Sequence, residues 1–244
     1  MTMKPETDDH GRRQAIAQAA SIAEMVAATR VDYGRLAELR EKRDAGCYSV
    51  GYNMPGYMPD SESFRVDTCG DARAALADEM RRHADDEPTY AETVTDLESV
   101  ADYLENEIGY PGDDFEHTIG RYHYWITHMP GGLADDGEAE ELAELEEMAG
   151  GCESEDDAWQ RIDDDPLSIE YRSGWANDPE YFEPEEFRIV LCTGGPHVEI
   201  QGDIGQSGGP ERPRILYRDW NESGELFDFD VDSVLAYCER FIYQ

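Results

Sequence analysis

Charge constrains this chain more than any other feature: 57 Asp and Glu stand against 20 Lys and Arg, a formal net charge of -37 over 244 residues. Carboxylates in such surplus have to lie on a solvated surface, because an unpaired ionised group is too costly to bury. A fold is then possible only if enough apolar side chains remain to make a core. Here they do: hydrophobic residues supply 39% and aromatic residues 10% of the chain, unlike the aromatic-poor acidic sequences that stay disordered. The same charge excludes direct nucleic-acid binding, since phosphates are gripped by Lys and Arg, and it excludes an anionic membrane surface. Only Lys4 and Lys42 are lysines. A Lys-poor, acid-rich surface also fits adaptation to high salt, which keeps a salt-adapted housekeeping protein among the readings.

No run approaches 18 apolar residues and Met1 to His10 lacks an apolar signal core. The expectation is a soluble, cytoplasmic protein without a transmembrane segment. Cys47, Cys69, Cys152, Cys192 and Cys238 are scattered without a C-x-x-C pair, so they read as reduced thiols.

Periodicity predicts an α+β protein. Helical spacing runs from Arg12 to Val26 and from about Tyr33 to Arg43, stopping at Gly46. Cys47 to Asn53 alternates as a strand and enters the Pro/Gly turn Met54 to Asp60; Phe64 and Val66 mark a second strand. Helices are expected from Asp71 to His83 and, with Thr89 and Glu92 at capping-box spacing, on to about Glu107; His117 to Ile126 reads as a hairpin turning at Gly120. After Pro130-Gly131-Gly132, residues 135–165 hold 15 acidic residues and one base, Arg161, with Leu142, Leu145 and Met148 as an apolar stripe. A short helix from Glu155 to Ile162 precedes strands at Leu167 to Trp175, Phe187 to Thr193, His197 to Gly202 and Pro213 to Trp220, and a last helix from Val231 to Phe241. The expected organisation is a helical N-terminal segment (1–44), a small α+β unit (45–129), an acidic helical connector (130–165) and an antiparallel meander with a C-terminal helix (166–244).

Two stretches carry a resemblance. Gly51-Tyr52-Asn53-Met54-Pro55-Gly56-Tyr57-Met58-Pro59-Asp60, with Tyr122-His123-Tyr124-Trp125-Ile126, resembles small uncharacterised proteins encoded by phages and plasmids. Ile189 to Pro196, with Tyr217-Arg218-Asp219-Trp220 and the helix ending in Phe241, resembles a second such group on mobile elements. In character the chain is similar to the acidic antirestriction and anti-CRISPR class. That resemblance implies a mobile-element protein that evades host defence, and no catalytic residue or cofactor comes with it.

The acidic block supplies the matching chemistry. Glu140, Glu144 and Glu147 recur at helical spacing of about 6 Å per i,i+4 step, near that of successive phosphates, with Glu141, Asp156 and Asp157 close in sequence. A rigid carboxylate row of this kind mimics DNA and enters the basic cleft of a nucleic-acid-binding host protein with the same electrostatic steering. A charge block also serves as a plain solvated face. Met54, Tyr57 and Met58 form the apolar contact candidate, as Met and Tyr are enriched at interfaces. The alternative is a small hydrolase or metal-dependent enzyme using Cys192 with His197, or His117, His123 and His128. On one extended strand His117 and His123 share a face, but no H-x-x-x-H pattern is present, and nothing in the spacing supplies an oxyanion donor. Asp228, Asp230, Asp232 and Glu239 have a calcium-loop look, yet Ser233 stands where a glycine belongs, so a helix N-cap is the better account. The expectation is therefore a binding protein and not an enzyme, without cofactor or metal.

Overall fold

The computed structural model describes residues 10–54, 62–86, 91–106, 114–174, 183–220 and 222–242. In chain order its elements are α1 (His10–Ala28), α2 (Tyr33–Ala45), β1 (Cys47–Asn53), β2 (Glu62–Val66), α3 (Cys69–Asp86), α4 (Ala91–Asn106), β3 (Phe115–Ile119), β4 (Tyr122–Met129), α5 (Asp136–Ala149), α6 (Glu155–Asp163), β5 (Ser168–Arg172), β6 (Glu186–Cys192), β7 (His197–Ile204), β8 (Pro210–Asp219), β9 (Glu222–Leu226) and α7 (Val231–Ile242). The class is α+β, with two antiparallel sheets. No helix among the described residues is long and apolar enough to cross a membrane.

The chain divides into two compact units, and they cut across the segments expected from sequence. One unit joins residues 1–33 to 145–244, and the other spans 34–144. The N-terminal helices therefore form no segment of their own: α1 belongs with the C-terminal strands, α2 with β1 to β4. Likewise the acidic stretch is no separate connector, since the division falls inside α5. Local periodicity shows that a helix has an apolar stripe but not which sheet the stripe will cover.

In the unit built on five strands, the order is β5-β6-β7-β8-β9, a meander. Phe187, Ile189 and Leu191 of β6, Val198 and Ile200 of β7 and Ile215 of β8 point to one side. On that side lie Ala15, Ile22, Met25 and Val26 of α1, Ile162 of α6, and Val234, Tyr237, Cys238 and Phe241 of α7, at i, i+3, i+4 and i+7. Asp230 caps α7: its Oδ1 accepts from the amides of Asp232 at 3.1 Å and Ser233 at 3.3 Å, and the Ser233 hydroxyl donates to Oδ2 at 2.6 Å. The N-cap reading of this acidic cluster holds.

In the unit built on four strands, the order is β2-β1-β4-β3. The β3–β4 hairpin lies beside β1, with Val50 opposite Ile126 and Gly51 opposite Trp125. Leu76, Met80, Leu97 and Ala101 of α3 and α4 cover the face that carries Val50, Tyr52, Tyr124 and Ile126. A Cβ on Gly51 would sit 2.5 Å from the Trp125 ring, so only glycine lets the indole lie across β1. Trp175 and the Thr89/Glu92 capping pair lie outside the described residues or have undescribed side chains. Strand β9 has no counterpart in the sequence reading, because Glu222-Ser223-Gly224-Glu225 lacks the β-branched and aromatic signature of a strand.

Candidate functional site

Helix α5 sorts its carboxylates into two sets. Glu138 and Glu141 face α2 and are consumed there. The Arg35 guanidinium donates from Nε and Nη2 to Glu141, at 3.2 and 2.8 Å, and from Nη2 to Glu138 at 3.2 Å, while Lys42 Nζ reaches Glu138 at 2.8 Å. The Lys42 and Arg35 bonds hold the Glu138 carboxyl below the usual carboxylate range. Glu140, Glu144 and Glu147 are exposed on the other side of the helix. Leu142, 5% exposed, fixes which side is which. The structure thus brings together the expected row of three and takes Glu141 out of the wider contact set. A residue one position from Glu140 is turned by about 100° around the helix, here onto the Arg35 side.

Asp156 and Asp157 open α6, where a carboxylate also complements the helix dipole. Ser154 is the N-cap and accepts from the Asp157 amide at 3.1 Å, and Asp157 Oδ2 accepts from the Glu153 amide at 3.2 Å. Asp157 thus receives the amide of the residue before the N-cap while its own amide is held by the cap, so it already has a structural task. Asp156 stays exposed. Of the apolar contact set, Met54 packs partly buried against the four-stranded core, whereas Tyr57 and Met58 lie outside the described residues.

The residues of the enzyme alternative are not brought into a working pair. The Cys192 thiol donates to the Pro196 carbonyl at 3.5 Å, and burial pushes its pKa up, away from thiolate chemistry. His197 Nε2 instead meets Glu199 Oε2 at 2.7 Å. His117 lies opposite Tyr124 and His123 opposite Thr118, so they sit on different strands and opposite faces of the hairpin, contrary to the single-strand expectation. His123 pairs with Glu116 at 3.2 Å, and His128 contacts the Ala45 carbonyl at 3.3 Å. No group of three or more His, Cys, Asp or Glu able to hold a metal is present among the described residues.

Two polar centres have no counterpart in the sequence reading. Glu199, 1% exposed in the middle of β7, lies on the sheet face away from the helices and draws in His197, Gln201 Nε2 at 2.7 Å and Arg218 at 3.4 Å. Alternation turns Glu199 away from the core residues Val198 and Ile200, and His197 and Gln201 of its own strand with Arg218 of β8 satisfy its carboxylate. The second centre is His83, 5% exposed, bonded through Nδ1 to the Tyr124 hydroxyl at 2.7 Å with Glu79 at 3.3 Å from Nε2. The order Glu79–His83–Tyr124 has the outline of an acid–base–nucleophile relay. Tyr124 is 0% exposed, and burial drives its hydroxyl pKa well above the usual tyrosine range, away from a nucleophilic phenolate. The i,i+4 spacing of Glu79 and His83 was visible, but their partner on β4 depends on the tertiary fold.

Comparisons of the chain with protein-family models, with curated proteins and with solved structures find no match. Fold class and site geometry define it as a strongly acidic α+β protein of two antiparallel-sheet units.

Proposed function

We propose that this chain is an acidic binding protein of a mobile genetic element, and that it inhibits a nucleic-acid-binding host defence complex of the restriction or CRISPR kind by occupying its basic cleft. One observation carries the reading. Glu140, Glu144 and Glu147 stand exposed along one side of α5, while Arg35 and Lys42 bind the carboxylates on the α2 side. A helix held in this way presents its charges at fixed spacing, so little ordering entropy is lost when a cationic partner closes on them. Glu141 and Asp157 leave the contact set, and Asp156 and Met54 stay in it. The reading needs no catalytic group or cofactor on this chain.

The test is capture of the partner from extracts of the natural host, identification by mass spectrometry, and a cleavage assay with the captured complex. Glu140→Lys, Glu144→Lys and Glu147→Lys together are expected to abolish inhibition, because surface pairs worth about 0 to 1 kcal/mol each act collectively. Inhibition by the parent chain is expected to weaken steeply from 0.05 to 0.5 M salt. Binding indifferent both to salt and to the triple reversal overturns the proposal.

A further inference from the structure

The neighbours of His83 are bonded in a way that suits only one of its protonation states. Its ring stacks on Tyr122 with centroids 4.3 Å apart and meets Tyr52 edge-on at 4.4 Å. Around it stand Glu79, Arg82 and Asp86 from α3, Glu62 from β2, Tyr52 from β1, and Tyr122 and Tyr124 from β4. Nε2 faces the Glu79 carboxylate at 3.3 Å, so it carries the hydrogen; a lone pair there would oppose an anion. Nδ1 is then the acceptor for the Tyr124 hydroxyl at 2.7 Å.

A second proton enters at Nδ1 and turns that acceptor into a donor. Tyr124 must then accept, and its own hydrogen loses the partner it has among the described residues, in a place with no solvent. An orphaned buried donor is costly, and so is the new charge. Glu79 offsets the charge only in part, because the same carboxylate oxygen is bonded to Arg82.

We propose that the four-strand unit contains an acid-operated latch: His83 holds α3 on the sheet in its neutral form, and weak acid lifts α3 while the five-strand unit stays closed. Burial lowers the His83 pKa below the ordinary histidine value of 6.5, with the sign the geometry demands. The opened state therefore takes up the proton first. Above about pH 6.5 the latch has its full strength; below it, opening of α3 becomes more favourable by up to tenfold per pH unit until the folded-state value is passed. Carboxylates of ordinary pKa near 4 titrate below this window.

Hydrogen exchange of the full chain between pH 7.5 and 5.5, corrected for intrinsic rates, tests this together with a ring-proton NMR titration of His83. Opening of α3 amides is expected to rise towards tenfold per pH unit below 6.5, with α1 and α7 unchanged. His83→Gln is expected to remove that slope. A His83 that titrates at or above 6.5 in the parent chain refutes the latch, as does an α3 slope no steeper than that of α1 and α7. The ring titration and the parent-chain slope decide the matter even if His83→Gln does not fold.

Discussion

Replacing Leu142 with alanine tests whether the carboxylate row works because α5 is held rigid. Leu142 is 5% exposed and lies on the side of α5 away from Glu140 and Glu144. Burial of a leucine side chain contributes about 1.5 to 3 kcal/mol by transfer, and the cavity left by truncation brings the cost to about 2 to 5 kcal/mol. With so little residual exposure, about 3 kcal/mol is expected, more than a hundredfold in the opening equilibrium of the helix. Hydrogen exchange of the α5 amides reads this directly and avoids assigning one unfolding transition to a chain of two units. Met148, 40% exposed on the same helix, is the control, and Met148→Ala is expected to change opening by less than about 0.5 kcal/mol. Leu142→Ala removes no charge, yet it is expected to weaken inhibition of the captured host complex because the row loses its fixed spacing. Parent-like α5 protection in Leu142→Ala would refute the anchoring argument. Parent-like inhibition by a helix shown to be loosened would refute the need for rigidity.

The purified chain is expected not to shift duplex or single-stranded DNA at micromolar concentration and physiological salt; a gel shift would show that Arg212, Arg214 and Arg218 overcome the net repulsion. If the charge is functional, far-UV circular dichroism is expected to be unchanged from 1 M to 0.1 M salt, although screening lengthens from about 3 to about 10 Å; unfolding at 0.1 M would instead mark salt adaptation. Tyr237, 0% exposed, donates to Asp165 at 2.6 Å, so Tyr237→Phe is expected to cost about 1.5 kcal/mol, read as about tenfold faster exchange of the most protected α7 amides; parent-like exchange would remove that bond from the core account. The bidentate Arg240 bond holds the Asp163 carboxyl below its usual 3.8, so its stabilisation is present above that value and lost as pH falls further. Arg240→Gln is expected to flatten the acid limb of stability below about pH 4, with little change in its slope at pH 7.

The helices and most strands were legible because each bears its own pattern. Val234, Cys238 and Phe241 recur at helical spacing, and Phe187, Ile189 and Leu191 alternate, so burial follows from period alone. Strand β9 escaped because an edge strand with glutamates and a glycine has little side-chain packing to advertise. In the site, the row Glu140, Glu144 and Glu147 was legible for the same periodic reason. The loss of Glu141 was not, since it depends on Arg35, 106 positions away in the chain. His83 was not legible as a bonding centre, because a histidine in a helix carries no mark of the tyrosine, 41 positions on, that bonds it.

By itself, the sequence determined the α+β class, the sites of its turns and a surface that is anionic nearly throughout, since periodicity and charge are properties of neighbouring residues. Tertiary structure decided that α1 joins the C-terminal sheet while α2 falls in the other unit, which carboxylates are paired and which face water, and that Glu199 and His83 are buried. These outcomes depend on cations, hydroxyls and apolar faces that meet only when distant segments pack, and no local pattern encodes which of several equivalent partners arrives.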